Sequence, residues 1–330
     1  MSLLNSGGLD LDKIKIAMAH RGAGVAPVFA ALEGGYFRDN CLEPELVYYH
    51  GHPNSLKALI AGEAQFTNAV GAELLLANHR HNSDAVVLAS AISRSAQQVA
   101  AQASLRTRED LRGKRWGVTF RNDADECAMI MAFDRWGWSI ERDVEIVVVG
   151  NAGARLDLLL DPAKVDVAIM HAPETFQARK RGYHIVEDFG RLDVSFQNSC
   201  AAGTRSFGER HPDIVLRYVK AFCQAVHRFR SDAEFGIHVL RKYSGEPDIE
   251  VLRPTWVLFA RYMGDMMFPS LEGMRNASAI LRRVGALPEE VAPEDAVDLG
   301  PVAALEADGF FEALMGARGI AGQRVVRSAT

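Results

Sequence analysis

KIKIAMAHRGAGVAPVFAALEGGYFRDNCLEPELVYYHGHPNSLKALIAGEAQFTNAVG, residues Lys13 to Gly71, is the stretch on which the reading of the fold turns. Ile14, Ile16 and Met18 alternate with small or polar residues, as on a strand. His20-Arg21-Gly22-Ala23-Gly24 breaks that strand, and Pro27 to Phe37 reads as a short helix closed by glycine. Leu42 to His50 is a second strand. Gly51-His52-Pro53-Asn54-Ser55 then turns into an apolar helix from Leu56 to Ile60, and Gly62 to Val70 leads to a third strand and its turn. Strand, helix, strand, helix, strand is an α/β pattern with a doubly wound sheet. Ligands of such sheets lie beyond the carboxyl ends of the strands. Those ends here are His20-Arg21, His50-Gly51-His52 and Asn68-Ala69-Val70.

The pattern continues through a buried strand, Ala85 to Ile92, with Ser93-Arg94-Ser95 as its turn, and through Gln98 to Gln102 as an extended crossing. It restarts after the charged turn Thr107 to Lys114. A strand from Arg115 to Thr119 leads to the turn Phe120-Arg121-Asn122-Asp123-Ala124-Asp125, which caps a helix from Glu126 to Trp136. Val144 to Val149 is a strand, Arg155 to Leu160 a helix, and Val165 to Met170 a strand ending in His171-Ala172-Pro173-Glu174. Thr175 to Arg181 and Tyr183 to Val186 complete this second unit, and Ser195 to Gly203 crosses back. Beyond Phe207 the chain reads as helices: Asp213–Arg230, Ala233–Tyr243, Ile249–Met267, Ser270–Val284 and Val302–Met315, with a weakly apolar tail after Gly316.

The 330 residues are enough for two domains, and 48% hydrophobic with 24% charged residues is ordinary for a globular protein. A net charge of −5 gives no reason to expect nucleic acid or an anionic membrane as partner. No run is apolar for long enough to be a transmembrane segment. Met1 to Gly8 has neither a basic start nor an apolar core, so a periplasmic location requires a leader already removed, and a cytoplasmic one does not. Cys41, Cys127, Cys200 and Cys223 stand far apart and form no metal or redox spacing; Cys127 lies among Asp123, Asp125 and Glu126, which oppose a thiolate.

The element order resembles the solute-binding proteins of ABC transporters, and within them the NMT1/THI5-like group that includes binders of sulfonate, nitrate and taurine. The match rests on "ALEGGYF" (31–37), on Leu42 to Val47, on Ser55 to Glu63 followed by Asn68 to Gly71, on Leu111 to Val118 opening a second lobe, and on Val165 to Glu174. It covers roughly residues 13–260. The resemblance implies a two-lobed periplasmic-binding-protein-like fold of type II. Each lobe would be a doubly wound sheet flanked by helices, and a helical C-terminal region would follow. Residues 1–100 and 204–330 would form lobe one and 101–203 lobe two. The implied function is capture of a small anionic or aromatic molecule (a sulfonate, a carboxylate or a pyrimidine-like compound) in the interlobe cleft for an importer whose permease is the partner. The histidine-rich turns depart from the family pattern.

Four histidines follow strands: His20, His50, His52 and His171. Imidazole at such places can bond a ligand, move a proton or hold a metal, but His50-x-His52 alone is no metal signature, and neither a metal nor a cofactor is expected. Arg21, with Arg94 as a second option, could grip a carboxylate or sulfonate. The helix start after Phe120 offers amides and a dipole to an anion, with Thr119, Arg121 and Asn122 as added donors; the competing reading is plain capping by Asp123 and Asp125. Asn68 and Ser93 complete the candidate set, and Tyr48, Tyr49, Phe120 and Phe196 could wall an aromatic ligand or pack in the core. His79-Arg80-His81 suits the C-terminus of a helix. No nucleophile elbow, phosphate loop, dinucleotide fingerprint or zinc-protease motif is present. The alternative function is an enzyme on the same scaffold, a decarboxylase, a desulfinase or a relative of the pyrimidine-synthesis proteins, using the cleft histidines. The cysteine-rich motif of the thiamin-pyrimidine synthases is absent. A ligand sensor without chemistry is the third reading.

Overall fold

The computed structural model describes residues 11–150, 152–159 and 161–316. The readings of Met1 to Gly8 and of the tail after Gly316 lie outside them. Among the described residues ten strands form two five-stranded sheets. The first contains β1 (Asp12–Met18), β2 (Leu42–Tyr48), β3 (Phe66–Ala69), β4 (Ala85–Ser90) and β10 (Cys200–Thr204), in the order β2-β1-β3-β10-β4. The second contains β5 (Gln98–Ala101), β6 (Arg115–Val118), β7 (Glu145–Val148), β8 (Val167–Met170) and β9 (His184–Asp188), in the order β7-β6-β8-β5-β9. Each sheet is mixed. β1 is parallel to β2 and β3, while β10 runs antiparallel to both β3 and β4. β5 likewise runs antiparallel to β8 and β9. Both faces of the central strands are covered by helices, so β3, β5 and β8 are buried at every residue, as is the outer strand β4.

Several elements differ from the sequence reading. The helix Pro27–Phe37 is two pieces, Ala26–Glu33 and Tyr36–Asp39, because Gly35 takes φ 75°, which a helix cannot contain. The helix expected from Leu56 begins at His52, with Pro53 in its first turn, where the missing N–H leaves no bond unmade. The helix expected from Glu126 begins at Ala124, with Asp123 as N-cap. The crossing Gln98–Gln102 is a complete strand of the second sheet, and the returning chain becomes β10 of the first. The helix Gly300–Ala307 stops before Gly309, at φ 72°, so the stretch to Met315 is not one continuous helix.

The first lobe is filled by the amphipathic helix Pro212–Ser231, whose Tyr218 stacks on Phe66 with ring centroids 3.7 Å apart. In the second lobe the fully buried Trp116 meets Phe133 edge-on at 5.2 Å and donates its indole N–H to the Leu111 carbonyl. Two chain segments pass between the lobes side by side. Asn198 N–H donates to Ile92 O at 3.1 Å and Phe196 N–H to Ser93 O at 3.0 Å. Buried Gln197 ties them to the first lobe by donating to the Ser90 hydroxyl at 2.8 Å and accepting from Ser270 N–H at 2.8 Å. The C-terminal helices span both lobes: Arg283 pairs with Asp134 at 3.0 Å and Lys180 with Glu250 at 2.8 Å. Among the described residues no helix is long and apolar enough to cross a membrane.

Candidate functional site

The residues past the carboxyl ends of β1 and β3 lie near those past β6 and β8, across the cleft between the lobes. His20 stands two residues past β1, and its Nδ1 accepts the Gly22 N–H at 2.9 Å. That bond leaves the proton of the neutral ring on Nε2. His52, in the first turn of its helix, meets His20 edge to face with centroids 5.2 Å apart. Its Nδ1 lies 3.3 Å from the Asn68 carbonyl, an acceptor, so Nδ1 carries the proton and Nε2 keeps a lone pair. From the other lobe His171 places Nε2 2.8 Å from Asp125 Oδ1, which leaves Nδ1 as its free acceptor. Asp125 is buried and also accepts the Thr119 hydroxyl at 2.7 Å. The Gln97 amide reaches it at 3.5 Å, and Gln97 is itself held by Ser95 and Asn198. Asn68 donates to the Ser199 hydroxyl at 3.3 Å, and that hydroxyl to Gly24 O at 2.6 Å. The cleft therefore presents one imidazole donor and two imidazole acceptors, each fixed by a backbone group or a buried carboxylate.

Four carboxyl groups surround the N-terminus of helix Ala124–Trp136. Asp123 accepts the Glu126 and Phe120 amides, both at 2.9 Å. The Asn122 amide goes to Glu126, whose other oxygen takes Arg121 at 2.7 Å. Glu73 reaches across from the first turn of helix Gly71–His81 toward the Ala124 amide. Burial, and then the nearby Asp125, push the Glu73 carboxyl up to about 8, against the pull of that amide and of His171. Burial and Asp125 likewise raise Asp123. Burial holds His52 down at about 4, with His171 adding to the shift and Asn68 O opposing it. His20 stays open to the cleft but is crowded by protein and by His52 and His171, so its basicity also falls. Cys127 is raised by burial, then by Asp123, and stays a thiol.

Of the residues named from sequence, His20, His52, Asn68, Thr119 and His171 come together here. The Phe120 and Asn122 amides are taken by Asp123 and Glu126, so this turn offers the cleft carboxylates where free donors were expected. Arg121 is exposed and bound to Glu126, and Phe120 is 49% exposed. Arg21 leaves the cluster to lie over the exposed Tyr48 ring at 4.3 Å. His50 and Ser93 are at the surface, and Phe196 is core. Arg94 reaches Gly190 O beside the lobe crossings. Glu73, Gln97 and Ser199 carried no local sign of a site, and Asp125 carried only that of a helix cap. Among the described residues no three His, Cys, Asp or Glu groups are arranged to hold a metal ion.

The profile of the family described as NMT1/THI5 like matches residues 23–232. A search of curated proteins finds no match. The fold is that of the periplasmic binding proteins. The alkanesulfonate-binding protein SsuA from Xanthomonas axonopodis pv. citri, bound to MOPS, superposes with a TM-score of 0.72 at 18% identity, over 88% of this chain and 99% of its own. A putative periplasmic sulfonate-binding protein SsuA from Methylobacillus flagellatus gives 0.73 at 18%, over 92% and 97%. A Candida albicans gene product described as having the generic periplasmic binding protein fold gives 0.68 at 13%, over 88% and 97%.

Proposed function

The chain belongs to the NMT1/THI5-like family, and we propose that it captures a small polar organic molecule between its lobes as the solute-binding component of an ABC importer. The permease is the partner and the periplasm the place of action in this reading, as the names of the similar sulfonate-binding structures suggest. One observation carries it. Histidines from both lobes converge on the cleft, and each is held in one orientation by a second group. A solute bonded to His20 Nε2–H, His52 Nε2 and His171 Nδ1 links the lobes and favours closure. Four carboxyl groups at the helix end disfavour a sulfonate there. They favour an aromatic or heterocyclic solute that carries its own N–H or O–H donors.

The test is thermal shift against a panel of sulfonates, aromatic acids and pyrimidines, because a ligand of the native state raises the melting temperature by mass action. Pyrimidines or hydroxylated aromatics should shift the protein more than alkanesulfonates do. The shift should vanish in His52→Ala and His171→Ala and persist in Arg21→Ala. Loss in Arg21→Ala with retention in both histidine variants would remove the cluster from the site.

A second reading, an enzyme, is favoured by the 2.8 Å His171–Asp125 contact. A buried carboxylate that orients an imidazole makes its far nitrogen a competent base. Conversion of the bound compound, lost in Asp125→Asn, would select it.

A further inference from the structure

A groove lies apart from the histidine cluster. It occupies about 760 Å³ between β9 and one face of helix Ile249–Tyr262. β9 is the outer strand of its sheet, and four consecutive residues, Ile185 to Asp188, line the groove. Strand faces alternate, so the groove follows the unpaired edge of β9. The helix contributes Arg253, Val257 and Arg261, spaced four apart on one face. Val257 is 42% exposed, and with Leu258 and Phe176 it supplies an apolar floor.

Charge in the groove is lopsided. Arg108, Arg179, Arg191, Arg253 and Arg261 line it, against Glu187 and Asp188. Both carboxylates are already engaged: Glu187 by Arg108 at 2.7 Å, Asp188 by the Tyr262 hydroxyl at 2.8 Å and by Arg191 at 3.6 Å. Arg179, Arg253 and Arg261 have no carboxylate partner among the described residues. This excess belongs to a chain of net charge −5, so it is local. Gln98, buried in the wall, has an Oε1 with no hydrogen-bond partner. Its neighbour Gln97 points instead to Asp125 in the histidine cluster, which sets the two sites on opposite sides of the start of β5.

We propose that this groove is a second binding site, for an organic anion with an apolar body: a carboxylate or sulfonate head gripped by Arg253, Arg261 and Arg179, and a hydrocarbon or aryl portion on Val257, Leu258 and Phe176. Guanidinium matches such heads in two-point geometry, and the apolar floor gives the body a place out of water. The occupant touches β9 of the second lobe and a helix packed on the first, so it also bridges the lobes from outside the cleft.

Isothermal titration with decanesulfonate, and with decyltrimethylammonium as the opposite-charge control, tests this. The sulfonate should bind at one site, more weakly as salt is raised, and the cation should not bind. Arg253→Ala/Arg261→Ala should weaken binding at least about tenfold, the loss expected for charged hydrogen bonds. Val257→Asp, which puts a like charge on an exposed floor position, should do the same and serves if the double variant folds poorly. His52→Ala/His171→Ala should retain binding. Absence of saturable binding, equal binding of the cation, indifference to both groove variants, or loss only in the histidine variant would overturn the proposal.

Discussion

Replacing Glu73 by Gln should flatten the dependence of stability on pH above neutrality. Glu73 is the carboxyl that closure of the lobes places beside Asp125, with its side chain 15% exposed. Its midpoint rises from 4.5 to about 8. The folded state therefore holds a proton that the unfolded chain has released. The favourable contribution of that proton is complete below about 4.5 and is lost as pH climbs toward 8. At 1.36 kcal/mol per tenfold, the limiting loss is roughly 5 kcal/mol. Partial opening of the cleft lets water reach the carboxylate and relieves most of this, leaving on the order of 1–2 kcal/mol. For a chain of this size that is about 2–4 °C in melting temperature. The side-chain amide of the Glu73→Gln variant would keep the shape and an oxygen for the Ala124 amide while remaining neutral throughout. The assay is thermal unfolding at intervals from pH 6.5 to 9, a range in which His20 and His52 are already neutral. The wild-type melting temperature should fall across this range, and that of Glu73→Gln should fall less, the two separating most near pH 9. Parallel curves would show that the carboxyl titrates as if in water and would refute the account of a buried carboxyl in an acid-lined cleft.

His20 and His52 act in the opposite direction. His52 is held near 4, so its contribution, present above 6.5, disappears as pH falls through 4; His52→Gln should reduce the loss of melting temperature between pH 6.5 and 4.5. Gly273→Ala should destabilise by about 1–3 kcal/mol, seen as a lower melting temperature, because the new methyl carbon would lie 2.5 Å from Gln197 N and 2.8 Å from Phe196 C, backbone that cannot withdraw. Phe66→Ala should remove about 3–5 kcal/mol in denaturant unfolding, since Phe66 is fully buried and stacks on Tyr218 at 3.7 Å.

The α/β alternation was legible because it is local. Ile14, Ile16 and Met18 are buried beside exposed Lys13 and Lys15, and the helix Pro212–Ser231 buries Val215, Tyr218, Val219, Phe222 and Val226 at the spacing read from the chain. The mixing of each sheet was not. Gln98 to Ala101 and Cys200 to Thr204 are short apolar runs with nothing in them that names a partner. Each becomes an antiparallel strand only because the chain passes between lobes at that point and meets β8 or β3 from the far side. The site divides along the same line. His20 and His171 were visible since each lies just past a strand of an α/β sheet, where ligands bind. Glu73 and Asp125 were not singled out, because an acid in the first turn of a helix already has an ordinary local reason to be there. Only the meeting of the two lobes turns those two helix-start acids into neighbours, while the pairing of Asp125 with His171 comes from the packing of β6 beside β8 within the second lobe. The Phe120 turn failed for the related reason that its free amides were counted before its own carboxylates, and Asp123 and Glu126, three and four residues from the amides they take, claim them first. A helix N-terminus in this fold thus marks an anion site only when the residues that would cap it are not themselves acids.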